Sequence, residues 1–272
     1  MIIVNSSKTY NLATAKLSVL YPGALIVNFP SKPTPIDYQL NGDSKVLISA
    51  IFSWDLPHLK DVVDDSIFYG QSIEIGGPAV THNVATLKWP DKTVTVRHSH
   101  EAEHVQGAFP MTWTSRGCIR NCPWCIVPTI EGNTMNEYEV VQYAPLILDN
   151  NFLACSESHV ERVLKSWSGK KVDWNQGLDA RLYSPSFRKL VAKHAVKPTV
   201  WRFAYDSGGI SRHVQRAVED VRKQAKDKSR IRIYLLFGYN ESEDEAISRA
   251  EEIIGWGGSP WPMAYRPLDW PS

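Results

Sequence analysis

The chain has 272 residues, enough for one large domain or two modest ones of roughly 100–200 residues each. Apolar residues make up 43% and charged residues 22%, the proportions of an ordinary globular chain, which excludes a disordered or low-complexity architecture. With 30 Lys and Arg against 29 Asp and Glu the formal charge is +1, so no global field recruits nucleic acid or an anionic membrane. The opening MIIVNSSKTY lacks the basic and apolar regions of a secretory signal, and no apolar run is long enough to span a bilayer. A cytoplasmic protein with no membrane partner is expected.

The first hundred residues alternate short β-branched runs with helical patterns. Ile2-Ile3-Val4, residues 24–29, 46–52 and 72–75 read as strands, and 11–20 and 56–63 as helices. Strands apolar throughout imply a parallel sheet covered on both faces. Gly76-Gly77-Pro78 punctuates the last clear strand, and the polar stretch 91–107 reads as a linker. The alternation then resumes on a larger scale. Strands are predicted over 109–114, 145–149, 171–175, 199–204, 230–237 and 262–265, with helices over 157–167, 185–194, 211–226 and 243–256. Ser184 before Pro185 is a good N-cap, and Glu243-Asp244-Glu245 puts acids in a helix's first turn. The expected fold is α/β: a Rossmann-like parallel-sheet domain over residues 1–105, then a partial (β/α)6 TIM-type barrel over 106–272.

In such sheets chemistry gathers at the carboxyl ends of strands, where loops are free and the core fixes their bases. Polar groups recur at those ends: Asp149-Asn150-Asn151, Gln176 to Arg181, Asp206, Gly238 to Glu241, and Arg266. Any one of these suits a solvated turn or helix cap. Of the chain's four cysteines, Cys118, Cys122 and Cys125 fall within eight residues, as Cys-x3-Cys-x2-Cys. Soft thiolates this close suit iron–sulfur or zinc, and a closed site takes four protein ligands. Three cysteines alone leave a position open for an exogenous ligand. A zinc site completed by Cys155 or a histidine is the competing account of the same spacing, and an inert thiol cluster a third.

This motif, with the aromatic Trp124 just before the third cysteine on the loop after a first barrel strand, resembles the radical S-adenosylmethionine (SAM) superfamily over about residues 109–267. The preceding domain resembles a cobalamin-binding-type Rossmann domain. The phrases around Asp149 and over 175–181 are similar to those of cobalamin-type and methylthiotransferase-like branches. The resemblance implies that Cys118, Cys122 and Cys125 bind three irons of a 4Fe-4S cluster while SAM chelates the fourth. One electron from a low-potential donor such as flavodoxin or ferredoxin would then cleave SAM to methionine and a 5′-deoxyadenosyl radical, which abstracts hydrogen from a substrate. It also implies Trp124 beside the adenine. Asp149, Asn150 and Asn151, standing where the family has a glycine-rich acidic motif, would meet the SAM amino group. Arg181 would meet its carboxylate, with Arg202 as competitor. Gln176, Asp179 and Asp206 would meet ribose or substrate, and Gly238 would form the turn that accommodates adenine.

Departures from the pattern prune this expectation. The first histidine is His58, so the cobalt-ligating Asp-x-His-x-x-Gly is missing, no bound cobalamin is expected, and the domain reads as a degenerate scaffold or substrate shelf. No cysteine precedes Cys118, which removes the second cluster of methylthiotransferases. The chain ends six residues after Arg266, so no C-terminal cap is expected and a large or partner-presented substrate has room. Two further functions stand as alternatives: radical methyl or methylthio transfer to nucleic acid or a small molecule, and a zinc- or cluster-stabilised non-catalytic binding protein. His98, His100 and His104 read as solvated linker, and the basic stretch from Arg212 to Arg232 as a solvated helix face. Trp174, Trp201 and Cys155 read as packing residues.

Overall fold

The computed structural model describes the chain except for residues 42–44, 52–54, 84–93, 97–104, 106, 140, 224, 226–229 and 268–272, and the side chains of 81–83. His98, His100, His104, most of the linker stretch, Lys226 and Lys228 lie outside the described residues. The chain forms two compact units, Met1–Phe109 and Pro110–Pro267. No helix among the described residues is long and apolar enough to cross a membrane.

The first unit runs β1 (Ile2–Asn5), α1 (Leu12–Leu20), β2 (Leu25–Asn28), α2 (Pro35–Asn41), β3 (Val46–Ser49), α3 (Leu56–Phe68), β4 (Ile73–Gly76), α4 (Pro78–Asn83) and β5 (Val94–Val96). Its strands pair in parallel in the order β2-β1-β3-β4-β5. This arrangement is compatible with a Rossmann-like unit. All four residues of β1 and of β3 are buried, which is why neither shows a polar alternation. The order reverses between β1 and β3, where a ligand crevice is expected in open α/β sheets. The polar groups there are tied to one another: Asn11 Nδ2 donates to Asn5 Oδ1 (3.2 Å) and Ser49 Oγ (3.0 Å), and Ser7 Oγ donates to Asp55. Gly77, at φ +110°, has to be glycine, because a Cβ would stand 2.0 Å from the Ala50 carbonyl oxygen.

The second unit runs β6 (Met111–Thr112), β7 (Ser115–Arg116), α5 (Val127–Ile130), β8 (Asn136–Glu137), β9 (Leu146–Ile147), α6 (Glu157–Ser166), β10 (Lys171–Trp174), α7 (Pro185–Lys193), β11 (Lys197–Ala204), α8 (Ser211–Val221), β12 (Ile231–Phe237), α9 (Glu243–Trp256) and β13 (Ser259–Ala264). Six strands form a parallel sheet in the order β13-β12-β11-β10-β9-β6, with β13 and β6 at its edges, while β7 and β8 make a separate antiparallel hairpin. The expected N-caps are present. Ser184 accepts from Phe187 N, and Ser242 makes a reciprocal capping box with Glu245. Side chains from α6 to α9 pack on one face of the sheet. Val163, Leu164, Phe187, Val214, Val218 and Ile253 meet Val172, Trp174, Trp201, Phe203, Ile231 and Ile233 in one core. Trp174 and Trp201 stack at 5.8 Å between ring centroids, as expected of packing residues.

Truncation of Trp174, 2% exposed, should cost about 3–5 kcal/mol. Truncation of Trp261, 49% exposed, should cost less than about 1 kcal/mol. Urea unfolding of both alanine variants checks this, and equal losses would contradict the assignment of the two faces.

Candidate functional site

The three clustered cysteines sit on the loop between the β7–β8 hairpin's first strand and α5, a stretch with almost no regular hydrogen bonding of its own. Two carboxylates hold it. Glu131, with its side chain 8% exposed, accepts from Gly117 N (2.8 Å) and Asn150 Nδ2 (2.7 Å) and pairs with Arg116 Nη2 (2.9 Å). Arg116 is further steadied over the Trp113 ring at 4.4 Å. Gly117 lies at φ +85°, and a Cβ there would stand 2.0 Å from the Thr134 carbonyl oxygen, so the turn that launches the cysteines admits only glycine.

Asp179, just past the end of β10, is the second carboxylate. It accepts from Arg120 Nε (2.9 Å) on the cysteine loop, from Arg181 Nε and Nη2 (2.7 and 3.0 Å), and from Asn151 Nδ2 (3.3 Å). Burial pushes its carboxyl up, but Arg181 and Arg120 outweigh burial and hold it below the ordinary range. Asn151, past the end of β9, also reaches Cys118 Sγ at 3.6 Å. The side chain expected at ribose or substrate is thus a clamp between the loop and the sheet.

The thiols of Cys118, Cys122 and Cys125 lie within electrostatic reach of one another. Burial pushes the Cys122 and Cys125 thiols up, and a hydrogen bond from Arg181 partly offsets this at Cys122. Asp206, past the end of β11, faces Cys122 and Cys125. Burial pushes its carboxyl up to about 6, against the pull of Arg249 and Arg181. Arg249 is itself held by Glu241 (2.5 Å) and the Leu236 carbonyl (2.6 Å). Trp124 meets Tyr239 edge-on at 5.4 Å, and Tyr239 meets Tyr265 at 4.8 Å. Gly238, at φ +82°, starts the turn that presents Tyr239. Loop and strand ends therefore bring together Cys118, Cys122, Cys125, Trp124, Asn151, Asp179, Arg181 and Asp206, with Asn150 at the Glu131 edge. Gln176 is exposed at the end of β10.

Two expected ligands are engaged elsewhere. Arg202 forms a two-pronged pair with Asp173 (2.5 and 2.7 Å) and donates to Tyr234 Oη (3.0 Å) within the sheet, so its guanidinium is already matched to a carboxylate. Asp149 is buried beneath the hairpin, where it accepts from Thr114 N (2.6 Å), Thr114 Oγ1 (2.5 Å) and Ser115 Oγ (2.8 Å). It tethers chain rather than facing the thiols. Glu131, which the sequence reading passed over, takes the role of fixing the loop's start; its only signal is an acid six residues after Cys125.

Compared with protein-family models and with curated proteins, the chain matches none. Its chemistry has to be argued from the residues themselves. Among the described residues, one set of metal-ligand atoms gathers within 4.8 Å: Asp149, Cys155 and His159, all buried. Hydrogen bonds already use that set. Arg162 Nη2 lies 2.7 Å from His159 Nδ1 and can only donate, which leaves Nε2 as the N–H toward Thr114 Oγ1 at 3.0 Å. Neither ring nitrogen keeps a lone pair for a metal. Burial pushes the Cys155 thiol up to about 12, so it remains protonated. The clustered cysteines are more open than this set.

Burial pushes the Asp149 carboxyl up to about 6, so its contribution to stability is complete below the unfolded value near 3.8 and is lost as pH rises through about 6. Asp149→Asn should accordingly gain on the wild type by roughly 2 kcal/mol between pH 4 and pH 7, in denaturant unfolding at each pH. A pH-independent difference would show that Asp149 stays ionised throughout.

Proposed function

We propose that the unit Pro110–Pro267 is a radical SAM core of partial-barrel type, an enzyme that cleaves SAM reductively on a 4Fe-4S cluster held by Cys118, Cys122 and Cys125. One observation carries the reading: a three-cysteine loop is clamped across the carboxyl ends of β9, β10 and β11 by Asn151, Asp179 and Arg181, with Asp206 facing the thiols. When bound, the cluster supplies one electron to the SAM sulfonium.

The chain's own residues fit that group. Thiols whose pKa is raised, as at Cys122 and Cys125, ionise readily only next to positive charge, which a metal would supply together with Arg181 at Cys122. Cys155 stays out of the set, hydrogen-bonded to the Ser115 hydroxyl, so three thiolates would leave one metal position for an exogenous ligand. Asn151 is 3% exposed and its Oδ1 has no partner, an orphaned acceptor suited to the ammonium of an amino acid such as SAM. Arg181, its side chain about a third exposed, keeps donors beyond those given to Asp179 and suits the carboxylate. Trp124, Tyr239 and Tyr265 form a contiguous run of rings beside the loop, apolar surface of the kind that shields a bound group from water. A low-potential donor protein would deliver the electron, and the reading assigns the protein to the cytoplasm.

Anaerobic iron and sulfide loading, followed by detection of 5′-deoxyadenosine after addition of SAM and a low-potential reductant, tests this. Wild type should bind about four irons with equal sulfide and form the product, and Cys122→Ala should abolish both. Asp179→Asn should lower activity by about 10–100-fold, because it loosens the loop without removing a ligand. One zinc per chain without sulfide would overturn the reading.

A further inference from the structure

We infer that the sheet face turned away from α6–α9 binds a mononucleotide, a planar base carrying phosphate, as the substrate of the cysteine-loop site. The word substrate rests on the radical SAM reading; the binding face does not. Along β12 burial alternates, with Ile231, Ile233 and Leu235 in the helix-covered core and Arg232, Tyr234 and Leu236 half-buried on the other side. Parallel register puts Ser259, Trp261 and Met263 of β13 beside those three residues, on the same side. Tyr265 N donates to Phe237 O (2.8 Å), which carries the alternation on to Tyr265. Trp261, Met263 and Tyr265 therefore form a strip roughly 13 Å long at about 3.3 Å per residue. It meets Tyr239 and Trp124 at the cysteine loop.

The charge on this face is unbalanced. Arg202 is neutralised by Asp173. Arg232 is not: among the described residues no carboxylate or carbonyl accepts from it, and its guanidinium lies over the Trp261 ring at 4.3 Å. A half-buried guanidinium without an acceptor calls for an anion, and stacking on indole leaves its in-plane donors pointing outward. The other side of Trp261, 49% exposed, and Met263, 47% exposed, offer a platform for a planar ring. Anion and planar ring together describe a nucleotide. One unmatched guanidinium suits one phosphate, while a strand of nucleic acid needs a basic track. Among the described residues, Arg222 and Arg230, which frame the start of β12 in the sequence, are turned to backbone carbonyls of Trp256, Pro198 and Thr199. Addition of a protein strand at the edge is disfavoured by Pro260 and Pro262, which lack N–H groups.

Isothermal titration of the full chain with the four ribonucleoside 5′-monophosphates, their nucleosides, inorganic phosphate and a short single-stranded oligonucleotide tests the inference. At least one mononucleotide should bind, and its nucleoside about tenfold more weakly. Arg232→Ala and Trp261→Ala should each weaken the mononucleotide about tenfold, whereas Trp261→Phe should retain most of the affinity. Thermal unfolding of each variant checks that it folds. Binding of no mononucleotide, binding indifferent to both alanine variants, or an oligonucleotide held far more tightly than any mononucleotide would each overturn the inference. SAM cleavage measured on the same preparations separates the two readings: cleavage without nucleotide binding removes only this one, and nucleotide binding without cleavage removes only the radical SAM assignment.

Discussion

Everything at the candidate site depends on Asp179 accepting from two arginines and an asparagine at once. A loop that must present three thiols cannot also make regular backbone hydrogen bonds, so its shape has to come from side chains outside it. Arg120 ties the middle of the loop to Asp179, and Asn151 ties Cys118 to the same carboxylate. Glu131 does the equivalent work at the loop's start through Gly117 and Arg116. Each carboxylate is shielded from water, where a charge-assisted bond is stronger than on an open surface. The cost of burying them is met by the arginines, which is why Asp179 stays ionised while the less well-partnered Asp206 is pushed toward neutrality.

The same logic separates two clusters that composition alone would confuse. Asp149, Cys155 and His159 are the tighter group of potential metal ligands, yet every acceptor in it is matched by a donor from Thr114, Ser115 or Arg162. Such a network fixes the hairpin to the sheet and has no capacity left for a ligand. The cysteine loop has the reverse character. Partial burial pushes the Cys122 and Cys125 thiols up, and Asn151 keeps an acceptor beside Cys118 that has no partner among the described residues. Unsatisfied groups gathered at strand ends mark a place where something binds; satisfied ones mark structure.

Much of this was legible in the sequence because it is local. The cysteine spacing, the serine N-caps, the apolar strand runs and the polar groups at strand ends each follow from a few adjacent residues, and the observed elements track them. What escaped was set by partners far along the chain. Arg202 is expected at the SAM carboxylate and Asp173 is simply part of a strand run, and their pairing across 29 positions is decided only when β10 and β11 come together. Asp149 and Asn151 are near neighbours with similar side chains, but the β9 end turns one under the hairpin and the other toward Cys118. Short elements were also hidden. Gly76-Gly77-Pro78 signals a break, yet Pro78 opens α4, since proline suits a first helical turn as well as a turn. β13 begins at Ser259, earlier than expected, because an edge strand tolerates Pro260 and Pro262 where a central one would not.

The six-stranded sheet divides its labour by face. Aromatic residues on the helix side, Trp174, Trp201 and Phe203, bury large surfaces with no polar demand beyond the indole N–H groups, and this core fixes the strand positions. The opposite side carries Asp173, Arg202, Arg232 and Tyr234, groups that a fully packed interior would exclude unless matched. Three of the four are matched to one another, so the fold can hold charge there without instability. Arg232 is the remainder: among the described residues it has no acceptor, and it lies on the strip that leads to the thiols. A sheet built only for stability would have placed an apolar residue or a partner at that position. The same rule that finds the cysteine loop, desolvated groups left short of partners, therefore picks out the face beside it.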